Sequence, residues 1–467
     1  MAIKLLKKDV NMLDGSIVKG LLTICIPIMV MNVIQSLFNI VDMTVLKMFD
    51  TDNGFSVGAV GACSTLISLI TGLLVGVSAG ANVIVARYIG RDDEQGAKRT
   101  IGTSLVFALL GGLFLTLIGN IFAETFLGWM NCPPSLLEKA ALYFRLYFSG
   151  VPILMVYNFC ASILRSSGDA KRPMIYLTVA GVVKIAFNFL FVAILGLEIK
   201  GVAFATIISW TVSAVLGVSA LIRNRGFVAL EPKKLRLYKK ELSEVLYIGI
   251  PAGLQQALYS IANVIITATV NSFGQEATTG ISIANNFDGI LYQISVATSL
   301  AVMPYVSQNV GAGNIRRAKE SVWKGILITV AFGATFGALS AIFSGELSSI
   351  MSDNPEVIAY SRQKMIIISS TYFICGINEI MGAALRGMGK PIVATVSTLI
   401  FMCAIRFVWV YAIFPLFPNL TFLYLIWPIG WILSIITLLA FYFPTAKALS
   451  LKAAARDAKP PIEEPVA

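Results

Sequence analysis

Five ionisable residues stand where the chain is otherwise apolar: Asp42, Lys184, Asp288, Glu379 and Arg406. Each costs a few kcal/mol at bilayer depth, so each belongs on an interior face, paired or reached by water. Asp42 lies in Phe-Asn-Ile-Val-Asp-Met-Thr, with Asn39 one helical turn earlier and Gln35 a further turn back on the same face. Burial opposes ionisation of a carboxylate and a nearby cation favours it. That competition suits a group that loads and releases a proton or a metal cation; the competing reading is a structural ion pair within a helix bundle. Lys184 is one turn before Asn188 and too far from the end of its apolar run to reach an interface by snorkelling. It is expected to be the internal counter-charge of Asp42. Asp288 follows Asn285 and Asn286, and reads either as a binding group or as a residue near the outer end of its helix.

These residues sit on a chain that repeats itself. Arg165 in Leu-Arg-Ser-Ser-Gly-Asp and Arg386 in Leu-Arg-Gly-Met-Gly-Lys lie 221 positions apart. Arg87-Tyr-Ile-Gly90 answers Gln308-Asn-Val-Gly311, and Pro27 answers Pro251. Glu379 then takes the place of Asn158, Arg406 that of Asn188 counted from Pro391 and Pro173, and Asn263 that of Asn39. Arg406 either pairs with Glu379 to lock the second half or meets a ligand. Asn39 and Asn263 are expected to face a cavity. A membrane chain built from two similar halves has an interface near the bilayer midplane, where secondary transporters place their substrate.

Composition sets the frame. The chain has 467 residues, 57% hydrophobic and 13% charged. Apolar runs long enough to cross a bilayer recur at 17–48, 58–86, 98–122, 138–164, 173–196, 201–222, 243–272, 279–310, 320–343, 358–385, 391–414 and 421–446. In lipid each must be helical, because backbone groups there find no water. The expected fold is therefore all-α integral membrane: twelve transmembrane helices in two six-helix repeat lobes around a central cavity. The lobes span 17–222 and 243–446. A cytoplasmic segment 1–16 precedes them, a basic cytoplasmic linker 223–242 separates them, and a disordered cytoplasmic tail 447–467 follows.

The net charge of +11 is not a nucleic-acid footprint. Most Lys and Arg fall on alternate loops, including Arg223, Arg225, Lys233, Lys234, Arg236, Lys239 and Lys240 in the linker, whereas Asp50, Asp52, Glu124, Glu198, Glu276, Glu346, Asp353 and Glu356 occupy the others. By the positive-inside rule both termini are expected in the cytoplasm of a multi-pass protein of the cell (inner) membrane. Each half has an even number of helices, so the halves share one orientation. Pro27, Pro152, Pro251, Pro304 and Pro428 are candidates for bends within spans.

The chain has no histidine, no GxxxxGK[ST] phosphate loop and no metal- or redox-spaced cysteines. ATP hydrolysis by this chain and a Ser-His-Asp triad are thereby excluded, no structural disulfide, zinc site, enzyme activity or cofactor is expected, and any pumping must draw on an ion gradient or a partner. Arg87, Gly90, Gly311, Arg165 and Arg386 read as helix-end scaffold. Met43, Met155, Tyr157, Phe187, Tyr259 and Tyr292 mostly face lipid or neighbouring helices, with a subset available to line a pocket for flat cations.

Pro27 with Asp42, the block Gly-Ala-Asn-Val-Ile-Val-Ala-Arg-Tyr-Ile-Gly at 80–90, Val-Ser-Gln-Asn-Val-Gly-Ala-Gly at 306–313 and Ala-Leu-Arg-Gly-Met-Gly at 384–389 together resemble the multidrug and toxic compound extrusion (MATE) family. The resemblance covers both halves. It implies a V-shaped pair of lobes and a monomer that exports cationic amphipathic compounds in exchange for H⁺ or Na⁺. Asp42 matches the family's first-helix aspartate used in cation coupling, and Asn188 its fifth-helix asparagine. Departures accompany the match: Val192 stands where a carboxylate is often found, Lys47 where a small residue is expected, and Tyr259 and Cys375 where sodium-coupled NorM-like members carry acids. A first-lobe coupling site is therefore favoured. A distantly related alternative is a flippase for lipid-linked saccharide, which would want a more cationic interior than these acids and bases supply.

Overall fold

The structure, a computed structural model, describes residues 10–49, 55–130 and 132–457. Within its helices the side chains of Asn39, Met43 and Lys47 lie outside the described residues. No strand occurs among the described residues. The helices, numbered in chain order, are α1 (Ile17–Met48), α2 (Phe55–Gly90), α3 (Glu94–Trp129) and α4, which breaks into Pro134–Ser149 and Val151–Ser166. α5 (Lys171–Asn188) runs on through a π turn at Phe189–Ile194, and α6 is Glu198–Arg223. The second half repeats the plan: α7 (Lys239–Asn271), α8 (Gln275–Gly311), α9 (Ile315–Ile342), and α10, broken into Pro355–Ser369 and Tyr372–Gly387. α11 (Pro391–Thr398) continues through Leu399–Ala404, Ile405–Val408 and Trp409–Ile413, and α12 comprises Leu420–Tyr424 and Ile426–Asp457.

Nine of these are long and apolar enough to cross a membrane, and the two broken helices, bent by 46° and 47°, make eleven. The twelfth is α7, whose 33 residues are of similar length but carry Gln255, Gln256 and several charges near its start. Twelve traverses bring Arg317 of α9 against the backbone of residues 12–15, and Gly313 beside Ala453 of α12. Both described ends of the chain thus lie at one end of the bundle, the one that carries the basic loops.

Local chemistry explains the boundaries. Asp93 and Asn314 cap α3 and α9, accepting from the backbone N–H groups of Gly96 (2.7 Å) and Arg317 (3.2 Å), and proline opens α4, α10 and α11 at the first helical position. The repeated Leu-Arg motif proves to be a helix stop. Gly168 and Gly389 have φ of +91° and +85°, and the following N–H groups reach back to Leu164 (3.2 Å) and Leu385 (2.8 Å). This is the Schellman closure, which needs a left-handed residue and so glycine.

One expectation changes. The tail is not irregular from 447, because α12 continues to Asp457; residues 458–467 lie outside the described residues. The linker is held against α3. Thr103 of α3 donates to the Arg236 carbonyl and accepts from the Tyr238 N–H, both at 3.2 Å. Lys98 bridges Glu94 (2.5 Å) and Glu231 (2.6 Å), and these lysine contacts, with Lys234, hold the exposed Glu231 carboxyl below its usual range.

The halves meet along a seam of glycines. On α2, Gly72, Gly76 and Gly80 recur every fourth residue, and α7 answers with Gly249 and Gly253. A Cβ on Gly76 would lie 2.4 Å from the Gly253 backbone, and one on Gly80 2.1 Å from the Val245 carbonyl. Such close approach is how membrane helices gain packing energy when lipid offers no hydrophobic drive.

Candidate functional site

The end of α5 and the outer part of α1 create the first site. Lys184 and Asn188, one turn apart, project from one face of α5 onto the same carboxylate. The Lys184 ammonium pairs with Asp42 Oδ2, and Asn188 Nδ2 donates to Asp42 Oδ1 at 2.5 Å. Asp42 is 9% exposed and Asn188 is fully buried, with its Oδ1 unpartnered. The pairing expected of Lys184 is thus present. The π turn begins at Phe189, immediately after Asn188. Such turns are frequent at functional sites. Gln35 is exposed on α1, while the Asn39 side chain lies outside the described residues.

The second half builds its counterpart differently. Arg406 does not pair with Glu379, contrary to one reading of the sequence. Its Nη1 donates to Asn263 Oδ1 at 2.6 Å, and its guanidinium lies over the rings of Tyr259 (5.3 Å) and Trp427 (5.2 Å). Asn263 consequently meets an arginine, not an open cavity. The cause is the π turn at Leu399–Ala404, which adds a residue to the turn before Arg406 and rotates everything after it. The helix pairs correspond, α1 with α5 and α7 with α11, but the lysine–carboxylate pair between the first two is replaced by an arginine on an amide between the second two.

Glu379 lines a small polar chamber with Gln255, Gln256, Tyr259, Tyr292 and Asn378. The chamber encloses about 10 Å³, room for about one water. Tyr259 and Tyr292 stack on each other at 5.7 Å, so these aromatics cover each other instead of lining a drug-sized pocket. Arg386, buried beside this chamber, donates to Gln255 Oε1 at 3.0 Å. Arg386 is therefore more than a helix-end residue. Replacing it with leucine leaves the Gln255 Oε1 without this donor, and should destabilise the protein by about 1–3 kcal/mol. The loss would be read as a lower unfolding temperature in detergent. Asn158, the first-half counterpart of Glu379, is half-buried with an unpartnered Nδ2.

Asp288 is not at a helix end. It is buried and bridged at 2.9 Å by Lys364, which is 2% exposed and also donates to Asn285. Lys364 was missed by sequence reasoning, though it is an intramembrane lysine in an apolar run and the rule used for Lys184 applies to it equally. With Lys364 and Arg386 included, Asp42, Asp288 and Glu379 face four interior bases, Lys184, Lys364, Arg386 and Arg406, so the interior is not net acidic.

Gly90 and Gly311 also exceed their expected role. A Cβ on Gly90 would lie 1.9 Å from the Gln308 carbonyl, and one on Gly311 2.3 Å from the Arg87 carbonyl. Around this crossing Arg87 Nη2 donates to the Gly387 carbonyl (3.4 Å) and Gln308 Nε2 to the Ser166 carbonyl (2.6 Å). Each half thus holds the end of the other's broken helix, α4 or α10, in a reciprocal latch.

A buried Asp–Lys–Asn cluster in one half, an arginine–asparagine contact in the other and a glycine seam between matched lobes make up the candidate site. The MatE family model matches the chain twice, at residues 27–190 and 251–412, once in each half. The chain belongs to the MATE family. Among its relatives, this MATE protein is 28% identical to the "Probable multidrug resistance protein YoeA" of Bacillus subtilis over 80% of this chain and 82% of the other. It is 25% identical to the "Probable multidrug resistance protein YpnP" of the same organism over 86% and 89%. Its fold matches a solved structure described as the outward-facing conformation of a multidrug resistance MATE family transporter, with a TM-score of 0.88, 20% identity and coverage of 95% and 99%. The all-helical twelve-span fold and a multi-pass membrane location follow.

Proposed function

We propose that this MATE transporter exports amphipathic cationic compounds by proton antiport, with Asp42 as the coupling group. The single observation that carries this is the Lys184–Asp42 pair. Both carboxylate oxygens are engaged by N–H donors, Lys184 on Oδ2 and Asn188 Nδ2 on Oδ1, and a sodium ion would need several oxygen ligands there, whereas a proton needs one lone pair. Protonating Asp42 leaves Lys184 buried without its partner, and that charge then favours whichever lobe arrangement admits water. The corresponding α7–α11 contact joins Arg406 to the Asn263 amide and contains no such lysine–carboxylate pair.

We take the basic end to be cytoplasmic, with both termini there in the cell membrane of a monomer, and the seam as the shut cytoplasmic side of an outward-facing state. The close fit to the outward-facing relative supports that assignment. A saccharide-lipid flippase fits less well, because Lys184 and Lys364 are neutralised by carboxylates and Arg406 is engaged by Asn263 and two aromatic rings.

The test uses everted vesicles and a fluorescent lipophilic cation. Accumulation should follow an imposed acid-inside pH gradient and be indifferent to a Na⁺ gradient at constant pH. Accumulation driven by Na⁺ alone would overturn the proton assignment. No accumulation of any cation under either gradient would overturn cation export.

A further inference from the structure

Residues 10–16 precede α1 without regular structure, yet they are held more tightly than a leader needs to be. Asn11 folds the segment on itself, its Oδ1 accepting from the N–H groups of Leu13 (3.0 Å) and Asp14 (3.3 Å). Arg317, at the start of α9, grips three carbonyls: Nε donates to Met12 (2.9 Å), and Nη2 to Asp14 (2.7 Å) and Gly15 (3.0 Å). Asn309 of α8 donates to the Met12 carbonyl as well, at 3.1 Å. The Met12 side chain is 1% exposed and belongs to a core shared with Ile17 and Leu21 of α1, Tyr305 and Val306 of α8, and Met388 after α10.

Two residues earlier the same segment lies on the other half. The Val10 backbone rests against the α4–α5 turn so closely that a Cβ on Gly168 would come within 2.6 Å of the Val10 carbonyl. The segment therefore crosses the lobe boundary at the basic end, with Val10 against the first half and Met12 to Gly15 on the second. None of these contacts touches the Asp42 cluster or the Glu379 chamber.

We propose that residues 10–16 are a strap that holds the basic end of the two lobes shut, with Arg317 as its clasp. Separating the lobes there must pull the segment from one half or the other, so its docking free energy adds to the stability of the shut state alone. Arg317 is suited to the task because a guanidinium presents several donors in a fixed fork and keeps its charge. Its neighbour Arg316 does nothing comparable, being 92% exposed and bonded only to Glu320 on its own helix. This inference rests on the reading of the protein as a carrier whose lobes part at this end.

The experiment measures lobe separation, not transport. Spin labels at Lys171→Cys and Lys447→Cys, exposed positions at the basic end of each half, are read by pulsed dipolar spectroscopy in a Cys132→Ser background. Arg317→Ala, and separately removal of residues 2–14, should raise the ratio of long to short distances at least about tenfold, the worth of losing one charge-assisted hydrogen bond. Arg316→Ala should leave it unchanged. The truncation keeps the Ser16 cap of α1, and thermal unfolding of each variant shows whether the bundle is intact. If wild type populates long distances and the variants match it, the strap is refuted while the carrier reading stands. If neither wild type nor variants ever show long distances at any pH or with substrate, the carrier reading fails and the strap with it.

Discussion

Asp42→Asn should abolish gradient-driven efflux while the lobes remain folded. The amide can still accept from Asn188, but it cannot ionise, and it leaves the Lys184 ammonium buried without a countercharge. Breaking a buried pair from one side costs about 3–5 kcal/mol, so the single variant should also lose abundance several-fold. That loss makes the double variant Asp42→Asn/Lys184→Met the informative one. Removing both charges relieves the stranded ammonium and should restore abundance. It cannot restore a protonation cycle, so uptake into everted vesicles under a pH gradient should stay at the level of vesicles lacking the protein. Recovery of efflux in the double variant would make the pair a structural contact and remove Asp42 from the coupling step. Exchange of the two charges, Asp42→Lys with Lys184→Asp, tests geometry: it keeps a buried pair but moves the carboxylate from α1 to α5.

The second large effect concerns the seam. Gly90→Val should trap the protein with its basic end parted and stop transport, with little effect within each lobe. The added Cβ would lie 1.9 Å from the Gln308 carbonyl, and a backbone carbonyl in a packed helix cannot rotate away. Overpacking of this kind typically costs 1–3 kcal/mol, occasionally more. Here separation of the lobes relieves the clash, so the cost appears as a population shift instead of unfolding. A shift of about 3 kcal/mol is more than a hundredfold in the equilibrium. Gly76→Leu should act similarly against the Gly253 backbone, whereas Gly289→Ala, where a Cβ meets nothing within 4 Å, should be silent. Lobe-to-lobe spin-label distances compare the variants directly; a Gly90→Val protein with wild-type distances and transport would show that the seam tolerates separation without consequence.

The two predictions draw on different kinds of information. Membrane depth makes charge expensive, so the Asp42–Lys184 pair was legible from residue types within apolar runs, before any fold was known. The same rule, applied to Lys364, would have found the partner of Asp288. The Leu-Arg echo was legible as a repeat, and its glycines became intelligible as helix stops once φ was in hand. Linear patterns carry these features because their causes act within one helix: hydrophobicity, a cap, a stop.

What lies between helices was not available in that way. Arg406 was as free, on paper, to meet Glu379 as Asn263; a π turn before it settled the rotation of α11 and gave it Asn263. Tyr259 and Tyr292 looked like walls for a ligand, and packing turned them onto each other. The spacing of Gly72, Gly76 and Gly80 announces a close helix crossing, but not that α7 is the neighbour. Gly90 and Gly311 read as helix ends until each was found against the other half's backbone. Composition and periodicity thus determined twelve spans, two matched halves and which charges must turn inward, because bilayer energetics act on each residue according to its own chemistry. Rotation, register and the partner across the lobe boundary were decided only by the folded chain, because they depend on shapes that distant segments present to one another.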